Sequence, residues 1–463
     1  MSKFKMPTAY TILFCLIILV AVATWFVPAG QYAYEDDVPI SGTYHEVEQN
    51  PQGAGDVVLA SFHGFYDAVD VCVFILMVGG FLGVVMRTGA VDAGVSNVIR
   101  LLGGREKWLI PILMILFGLG GTSYGMWEET MAFYPLLIPI FLAAGYDTVV
   151  GIAVILLGAG AGVICSTVNP FATGIAAGFA GVSLGEGIVL RILMWVVFEA
   201  AAIWYVMAYA ARVKKDPSAS VVVNRGKEVY HGKAENAPPL TGKRKVILTV
   251  FAITFLIMIY AVIPFDDMGL PLPALGWWFP ELSGLFLVSG ILIGLIDRME
   301  EPVIAEEFVN GASDLLGVAF IIGISRGITY LMNEGRITDT VLNWGENALA
   351  GTSSLAFILL VFLLYLPLSI LIPSSSGLAT LSIPIVAPLG KFAGISGSLV
   401  ITAFQSASGL VNIITPTAAV VMGALALGHV SYDRWVKFVW KLIVVLGVLI
   451  AAFLALGALV SGL

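Results

Sequence analysis

The sequence predicts an all-α polytopic membrane protein of two inverted repeats, each with a re-entrant hairpin and a broken transmembrane helix. Three observations carry that expectation. The 463-residue chain is 59% hydrophobic and 12% charged, against roughly 25% charged in a typical soluble protein, and its mean hydropathy is +0.96. Apolar runs recur from Tyr10 to Val460, each long enough to cross a hydrocarbon core of about 30 Å. The second half repeats the order of elements in the first, with the charge of its loops reversed. A soluble enzyme, a nucleic-acid binder and a disordered scaffold are excluded.

The elements follow in order. The basic start and apolar stretch have the outline of a signal peptide. The stretch from Ala9 to Val27 ends Trp25-Phe-Val-Pro28 with no small-residue cleavage site, so it reads as a retained first helix. Further crossings are expected at 67–86, 148–180, 187–211, 246–264, 281–297, 312–332, 398–425 and 436–460. Segments 148–180 and 398–425 are too long for one simple crossing. They are interrupted at Ser166-Thr-Val-Asn-Pro170 and Asn412-Ile-Ile-Thr-Pro416. Two more apolar stretches, 109–144 and 355–390, break at Gly120-Gly-Thr-Ser-Tyr-Gly125 and Pro373-Ser-Ser-Ser-Gly377. Each half spans about half a bilayer, which suits a hairpin entering and leaving on one side. Non-helical backbone at that depth is tolerated only where protein or a water-filled cavity surrounds it.

Charge sets the orientation. Loop 212–245 carries nine Lys/Arg against three acids, whereas loop 29–66 carries none against six. With hairpins counted as non-crossing, the N-terminus is cytoplasmic and the C-terminus extracytoplasmic. All 23 Lys and Arg except Arg191, Arg326, Arg336 and Lys391 then face the cytoplasm, as the positive-inside rule demands.

Residue matches support the repeat. Gly64, Asp67 and Gly80 match Gly311, Asp314 and Gly327 at an offset of 247, and Met86 and Gly89 match Met332 and Gly335 at 246. Pro135, Pro139 and Gly145 match Pro384, Pro388 and Gly394 at 249, while Pro170 and Ala172 match Pro416 and Ala418 at 246. Helix 246–264 supplies the odd crossing that inverts the second half. The chain thus divides into a first repeat (1–211), a basic cytoplasmic linker (212–245), a connecting helix (246–264) and a second repeat (265–463). Inverted repeats with helices broken at corresponding places point to a secondary transporter with a midplane site.

The breaks are the candidate site. A broken helix leaves N–H groups unpaired at one half and C=O groups at the other. Carbonyls with nearby side-chain oxygens suit a dehydrated Na⁺, and half-helix N-termini suit an anion. Ser166, Thr167, Asn169, Ser374, Asn412 and Thr417 are the candidate sodium ligands. Thr122 and Ser123 of the first hairpin are expected to pair with Ser166, Thr167 and Asn169. Ser374, Ser375 and Ser376 of the second should pair with Asn412, Thr415 and Thr417.

Charges at membrane depth cost roughly 2.5–3.5 kcal/mol each on insertion scales, so each needs a reason. Glu128 and Glu129 follow the first hairpin tip and suit a substrate ammonium, a guanidinium or a coupling proton. Arg326, within Gly323-Ile-Ser-Arg-Gly327, suits a carboxylate. Glu199 reads as one member of an internal salt bridge. Asp67 and Asp314 read as N-terminal helix caps. Trp277, Trp278, Trp435 and Trp440 read as interfacial anchors. Cys15, Cys72 and Cys165 have no ligand spacing and read as reduced, small hydrophobes. No HExxH, Walker A or GxSxG pattern occurs, so hydrolytic or ATP-driven chemistry has no residues to run on.

Ser166-Thr-Val-Asn-Pro-Phe-Ala-Thr-Gly174, Ile372-Pro-Ser-Ser-Ser-Gly-Leu-Ala379 and Asn412-Ile-Ile-Thr-Pro-Thr417 resemble the YfcC-type branch of the C4-dicarboxylate anaerobic carrier family, within the ion transporter superfamily. The resemblance covers nearly the whole chain. It implies a scaffold domain mediating a homodimer and a transport domain with two hairpins, moving by an elevator mechanism. Better-known superfamily members carry Ser-Asn-Thr triplets at their hairpin tips as sodium and carboxylate sites. This chain has Gly-Thr-Ser and Ser-Ser-Ser there instead. Members of the branch are often described, provisionally, as basic amino acid exchangers.

The sequence therefore leads to a secondary active transporter of a small charged organic solute in the inner, plasma-type membrane. The glutamates with Arg326 would match both ends of an amino acid, with a lean to basic ones. The alternative is a Na⁺- or H⁺-coupled C4-dicarboxylate or carboxylate carrier. A passive channel ranks behind both, because channels build one axial pore from re-entrant loops. No cofactor is expected beyond a coupling Na⁺ or H⁺. The expected partners are the solute, membrane lipid and a second copy of the chain, with no nucleic acid.

Overall fold

The computed structural model describes residues 9–35, 38–102, 105–123, 125–183, 185–222, 238–262, 265 and 272–459. Much of the expected linker 212–245 lies outside the described residues. Among them are eight helices long and apolar enough to cross a membrane.

One group of helices is organised around a crossing. It comprises α1 (Ala9–Ala23), α2 (Ala54–Asp67), α3 (Val69–Arg87) and the amphipathic α4 (Ala90–Leu102) from the first half. From the second half come α10 (Gly242–Val262), α11 (Phe279–Asp297), α12 (Glu301–Glu334) and the amphipathic α13 (Thr338–Leu349). The numbering leaves α5–α9 for the remainder of the first half. Helices α2 and α3 run antiparallel to α12 and meet it through glycines. A Cβ on Gly79 would lie 2.6 Å from the Gly311 carbonyl oxygen, and one on Gly64 would lie 2.5 Å from the Gly327 nitrogen. Small residues let membrane helices approach this closely, so dispersion supplies the attraction that lipid cannot. The offset of 247 carries Gly64 onto Gly311 and Gly80 onto Gly327, so the Gly64–Gly327 contact maps to within one residue of the Gly79–Gly311 contact.

Two sequence expectations change here. The predicted crossing 312–332 is only the C-terminal two-thirds of α12, a 34-residue helix. Asp67 ends α2 and Asp314 lies inside α12, so neither caps a helix N-terminus. The pattern at 67–86 hid a helix break at Ala68, where the backbone leaves helical geometry (φ −121°, ψ 20°).

The second group holds the hairpins and broken helices. The first hairpin is α5 (Leu109–Ser123), a tight-turned segment Glu128–Phe133 and α6 (Tyr134–Ala143). Its break falls after Ser123 rather than at Gly120. The broken helix is α7 (Thr148–Cys165), a wide turn Pro170–Gly174 and α8 (Ile175–Ala180), followed by α9 (Ile188–Lys215). The second half repeats this as α14 (Ser354–Leu371), α15 (Ser375–Phe392), α16 (Gly397–Asn412), α17 (Ala419–Leu427) and α18 (Tyr432–Leu459). Every residue from Gly397 to Asn412 is buried, so α16 and the nearly buried α7 form the centre of this group.

On the acidic loop after α1, short ribbons pair Gly30–Gln31 with His45–Glu46 and Tyr34–Glu35 with Val38–Pro39. They dock on α13: Tyr32 Oη donates to Glu346 at 2.7 Å and Tyr34 Oη to Asp339 at 2.8 Å. Burial, reinforced by those carboxylates, pushes both phenols upward, so they remain donors.

Candidate functional site

At the first break, Ser166 takes a left-handed conformation (φ 31°) and the α7 carbonyls run out of helical donors. Side chains replace them. Gln405 Nε2 donates to the Cys165 carbonyl at 2.7 Å, Ser406 Oγ to Ile164 at 3.0 Å and Thr173 Oγ1 to Ser166 at 2.6 Å. The second break is closed likewise: Trp435 Nε1 donates to Ile413 at 3.0 Å and Tyr432 Oη to Ile414 at 2.7 Å. Trp435 is fully buried, so it is a helix-break donor and not an interfacial anchor. Trp440 is half-exposed. The sequence marked the breaks but not these donors, which except for Thr173 lie on other helices.

The first hairpin meets the first break as expected. Thr167 Oγ1 donates to the Thr122 carbonyl at 2.9 Å, and Thr167 N–H to Thr122 Oγ1 at 3.1 Å. Asn169 Nδ2 donates to Ser166 Oγ at 3.2 Å, and its Oδ1 accepts from Ala172 N–H at 3.3 Å. A Cβ on Gly125 would lie 2.6 Å from the Asn169 amide. Ser123 instead turns back, donating to the Leu119 carbonyl of its own helix at 2.5 Å.

The second hairpin is different. Ser374, Ser375 and Ser376 line a cavity of about 190 Å³ together with Gly125 and Asn169 of the first half. Ser374 also caps its own helix, accepting from Gly377 N–H at 3.2 Å. Asn412 and Thr417 border an adjoining void of about 40 Å³ with Pro373 and Glu128. Thr415 is buried and bonds Thr417 hydroxyl to hydroxyl at 2.8 Å. The expected pairing of Ser374–Ser376 with Asn412, Thr415 and Thr417 is therefore not the one observed. The first hairpin stays with its own half, and the second faces the first half.

Charge gathers where the two voids meet. Glu128 and Arg326 line both of them, and Glu129, Asp67 and Asp70 line the larger. Among the described residues none of these five joins an ion pair. Glu129 accepts from the Trp127 N–H at 3.1 Å. Asn412 Oδ1 is buried with no donor. The chamber thus presents four carboxyl groups, one guanidinium, serine hydroxyls and an unfilled amide acceptor, walled by Trp127 and Trp278. Asp67 and Asp70 were missed as site residues because the sequence gave no sign of the break at Ala68 that brings them to the rim.

Glu199 is elsewhere. It is 4% exposed on α9, and neither carboxyl oxygen has a hydrogen-bond partner. The expected salt bridge is absent among the described residues, because no cation reaches that face.

Comparison with known proteins places these features in a family. Residues 6–460 match the profile of DcuC, the C4-dicarboxylate anaerobic carriers. A protein of Haemophilus influenzae is 36% identical, with 96% of this chain and 95% of that one covered. YfcC of Escherichia coli (strain K12), provisionally described as a basic amino acid antiporter, is 30% identical over 94% of this chain and 93% of its own. Among solved structures, the YdaH transporter of Alcanivorax borkumensis aligns over 97% of this chain and 98% of its own at 15% identity, with a TM-score of 0.46. MtrF of Neisseria gonorrhoeae, an antimetabolite efflux pump, aligns over 99% and 97% at 16% identity, also with 0.46.

Proposed function

The chain belongs to the C4-dicarboxylate anaerobic carrier family and is a membrane transporter; from that premise we propose that it carries basic amino acids. One observation carries the choice of substrate. The chamber sets Glu128, Glu129, Asp67 and Asp70 around a single guanidinium, Arg326. A dicarboxylate needs two sets of donors and is repelled by carboxylates. An amino acid with a cationic side chain needs one donor for its carboxylate and several acceptors for its two cations. Arg326 takes the carboxylate; Glu128 and Glu129 take the side-chain cation, aided by Asn412 Oδ1 and the tip hydroxyls of Ser375 and Ser376. YfcC's description fits the same substrate class.

Movement is of the elevator type, by alternating access. The glycine crossing of α3 and α12 is the fixed scaffold, and the hairpins with α7 and α16 carry the solute past it. A crevice of about 540 Å³ lies on the other side of that crossing and is lined by Asp314, Gly317 and Val318. These match Asp67, Asp70 and Val71 of the first chamber at the offset of 247, so it is the landing place in the opposite state. The carrier works as a homodimer in the inner membrane, N-terminus inside. The carbonyls at both breaks already have donors, so a sodium cage built from them is disfavoured and exchange or proton coupling is preferred.

The test is uptake by purified protein in liposomes. External arginine or ornithine should exchange with the same solute preloaded inside, and succinate should neither exchange nor compete. Succinate transport that survives neutralisation of both glutamates but not of Arg326 would establish the dicarboxylate reading instead.

A further inference from the structure

We infer that Glu199 is a proton-binding site, the group through which a pH gradient is coupled to solute movement; this rests on the carrier reading above. Its carboxyl is enclosed within the membrane-spanning part of α9. Each ionised group without a partner in such surroundings costs several kcal/mol, so a carboxyl persists there by holding a proton. A proton requires no chamber, only a group that can gain and lose it.

The surroundings are built for both charge states. Gly118 of α5 leaves the space the carboxyl fills: a methyl group there would overlap Glu199 Oε2 and come within 3.2 Å of Trp195 Nε1. That indole N–H makes no hydrogen bond of standard geometry and is the side-chain donor that interacts with the carboxyl, so a donor stands beside it for the moment its proton leaves. The other groups facing the site offer no fixed compensating charge. The titratable group that α7 brings to it is the Cys165 thiol, α5 meets it at Gly118, and among the described residues no ion pair reaches it. From α18, Phe453 packs on the neighbouring Phe198. The ionisable groups of α18, Asp433 to Lys441, lie level with Tyr205 and Tyr209 at the far end, where Phe438 packs. On α9 itself, Arg191 is two turns away and donates to the Glu186 carbonyl at 3.0 Å.

Two placements argue for a working group rather than a structural one. The matching stretch of α18, Leu442-Ile-Val-Val-Leu446, is wholly apolar, so the fold closes at this station without a carboxyl. Glu199 also sits one helical turn from the substrate-side machinery. Gly118 precedes Thr122 by one turn, and a Cβ on Gly162 of α7 would lie 2.7 Å from the Thr122 nitrogen. A change of charge at Glu199 is felt at the α5–α7 contact that holds the hairpin tip.

The test uses purified full-length protein in liposomes, with dicyclohexylcarbodiimide as a probe of protonated membrane carboxyls and peptide mass spectrometry to locate the adduct. Glu199 should be labelled, and labelling should fall as pH is raised. E199Q should lose arginine accumulation driven by an acid gradient while retaining arginine exchange at equal pH. Labelling at one rate at every pH, no labelling of Glu199, or E199Q protein that still accumulates arginine up the gradient would each overturn the inference. If wild-type protein moves no arginine in either mode, the substrate reading fails alone and the labelling curve decides Glu199. The same curve decides if E199Q loses exchange as well.

Discussion

In the first repeat the hairpin turns over on Glu128 and Glu129; at the offset of 249 the second repeat has Gly377 and Leu378. On the crossing helices, Arg326 answers to Gly79, and Glu199 answers to an apolar stretch of α18. Gly64, Gly80, Pro135, Pro139 and Pro170, by contrast, recur as Gly311, Gly327, Pro384, Pro388 and Pro416. What recurs builds the frame: close helix contacts, helix breaks and hairpins, which an inverted pair of repeats must make twice. What does not recur carries the charge. An amino acid has no two-fold symmetry, so a site that holds one end to end must be built from the places where the repeats disagree.

The sharpest way to break that comparison is to erase the unmatched charges. E128Q and R326Q keep shape and remove a charge-assisted hydrogen bond worth about 1.5–3 kcal/mol each, which is roughly 10- to 100-fold in affinity or uptake. Arginine binding by calorimetry and exchange in liposomes should both show it. S375A and S376A, which touch the same chamber, should cost about tenfold less each, as neutral hydrogen bonds do. Equal losses in all four variants would mean that the charge asymmetry is not what selects the solute.

The glycines of the crossing give the converse test. G79L and G311L each force a side chain into the backbone of the facing helix, an overpacking that costs about 1–3 kcal/mol. Thermal unfolding in detergent should drop for both by similar amounts, since the two positions lie in one contact. A large drop for one and none for the other would show the crossing to be less symmetric than its backbone.

A third comparison lies in the breaks. Q405L leaves the Cys165 carbonyl without its donor and removes the Gln405 oxygen that accepts from Thr173, for about 1–3 kcal/mol of stability. The equivalent station in the first repeat, Ala159, has no such duty, and A159V should act only through packing.

These tests also separate what could be read in the sequence from what could not. Apolar length and polar interruption disclosed the crossings, the hairpins and both broken helices, because each depends on neighbours along the chain. The chamber's charged core was legible too: Glu128, Glu129 and Arg326 stood out as costly at membrane depth. The partners were not. Gln405 reaching Cys165 and Ser374–Ser376 facing Asn169 are contacts across more than a hundred residues, and the hairpin pairing inferred from chain proximity was wrong for the second half. Asp67 was misread as a cap because helical periodicity runs on through Ala68, whereas a backbone turn there aims it at the cavity. Glu199 was assigned a salt bridge by default, since spacing alone cannot say that no cation reaches it.

The smallest effect sharpens the comparison most finely, because the sequence treats the two residues alike. Ser123 and Ser374 are both hydroxyls at a hairpin tip. Ser123 Oγ donates to a carbonyl one turn back in its own helix, a bond that competes with no other group and slightly disfavours the helix. Ser374 Oγ accepts from the N–H of Gly377 and lies 3.3 Å from the Ser376 hydroxyl, so it closes one of the open donors at the start of α15. S374A should therefore cost about 1 kcal/mol of stability, the usual value of an N-cap, and loosen the serines that face Asn169. S123A should change stability by less than about 0.5 kcal/mol, as surface substitutions do, and leave arginine affinity where it was. If S123A weakens arginine binding as much as S376A does, the Ser123 hydroxyl leaves Leu119 to meet the solute, and the first hairpin tip takes a different shape when loaded.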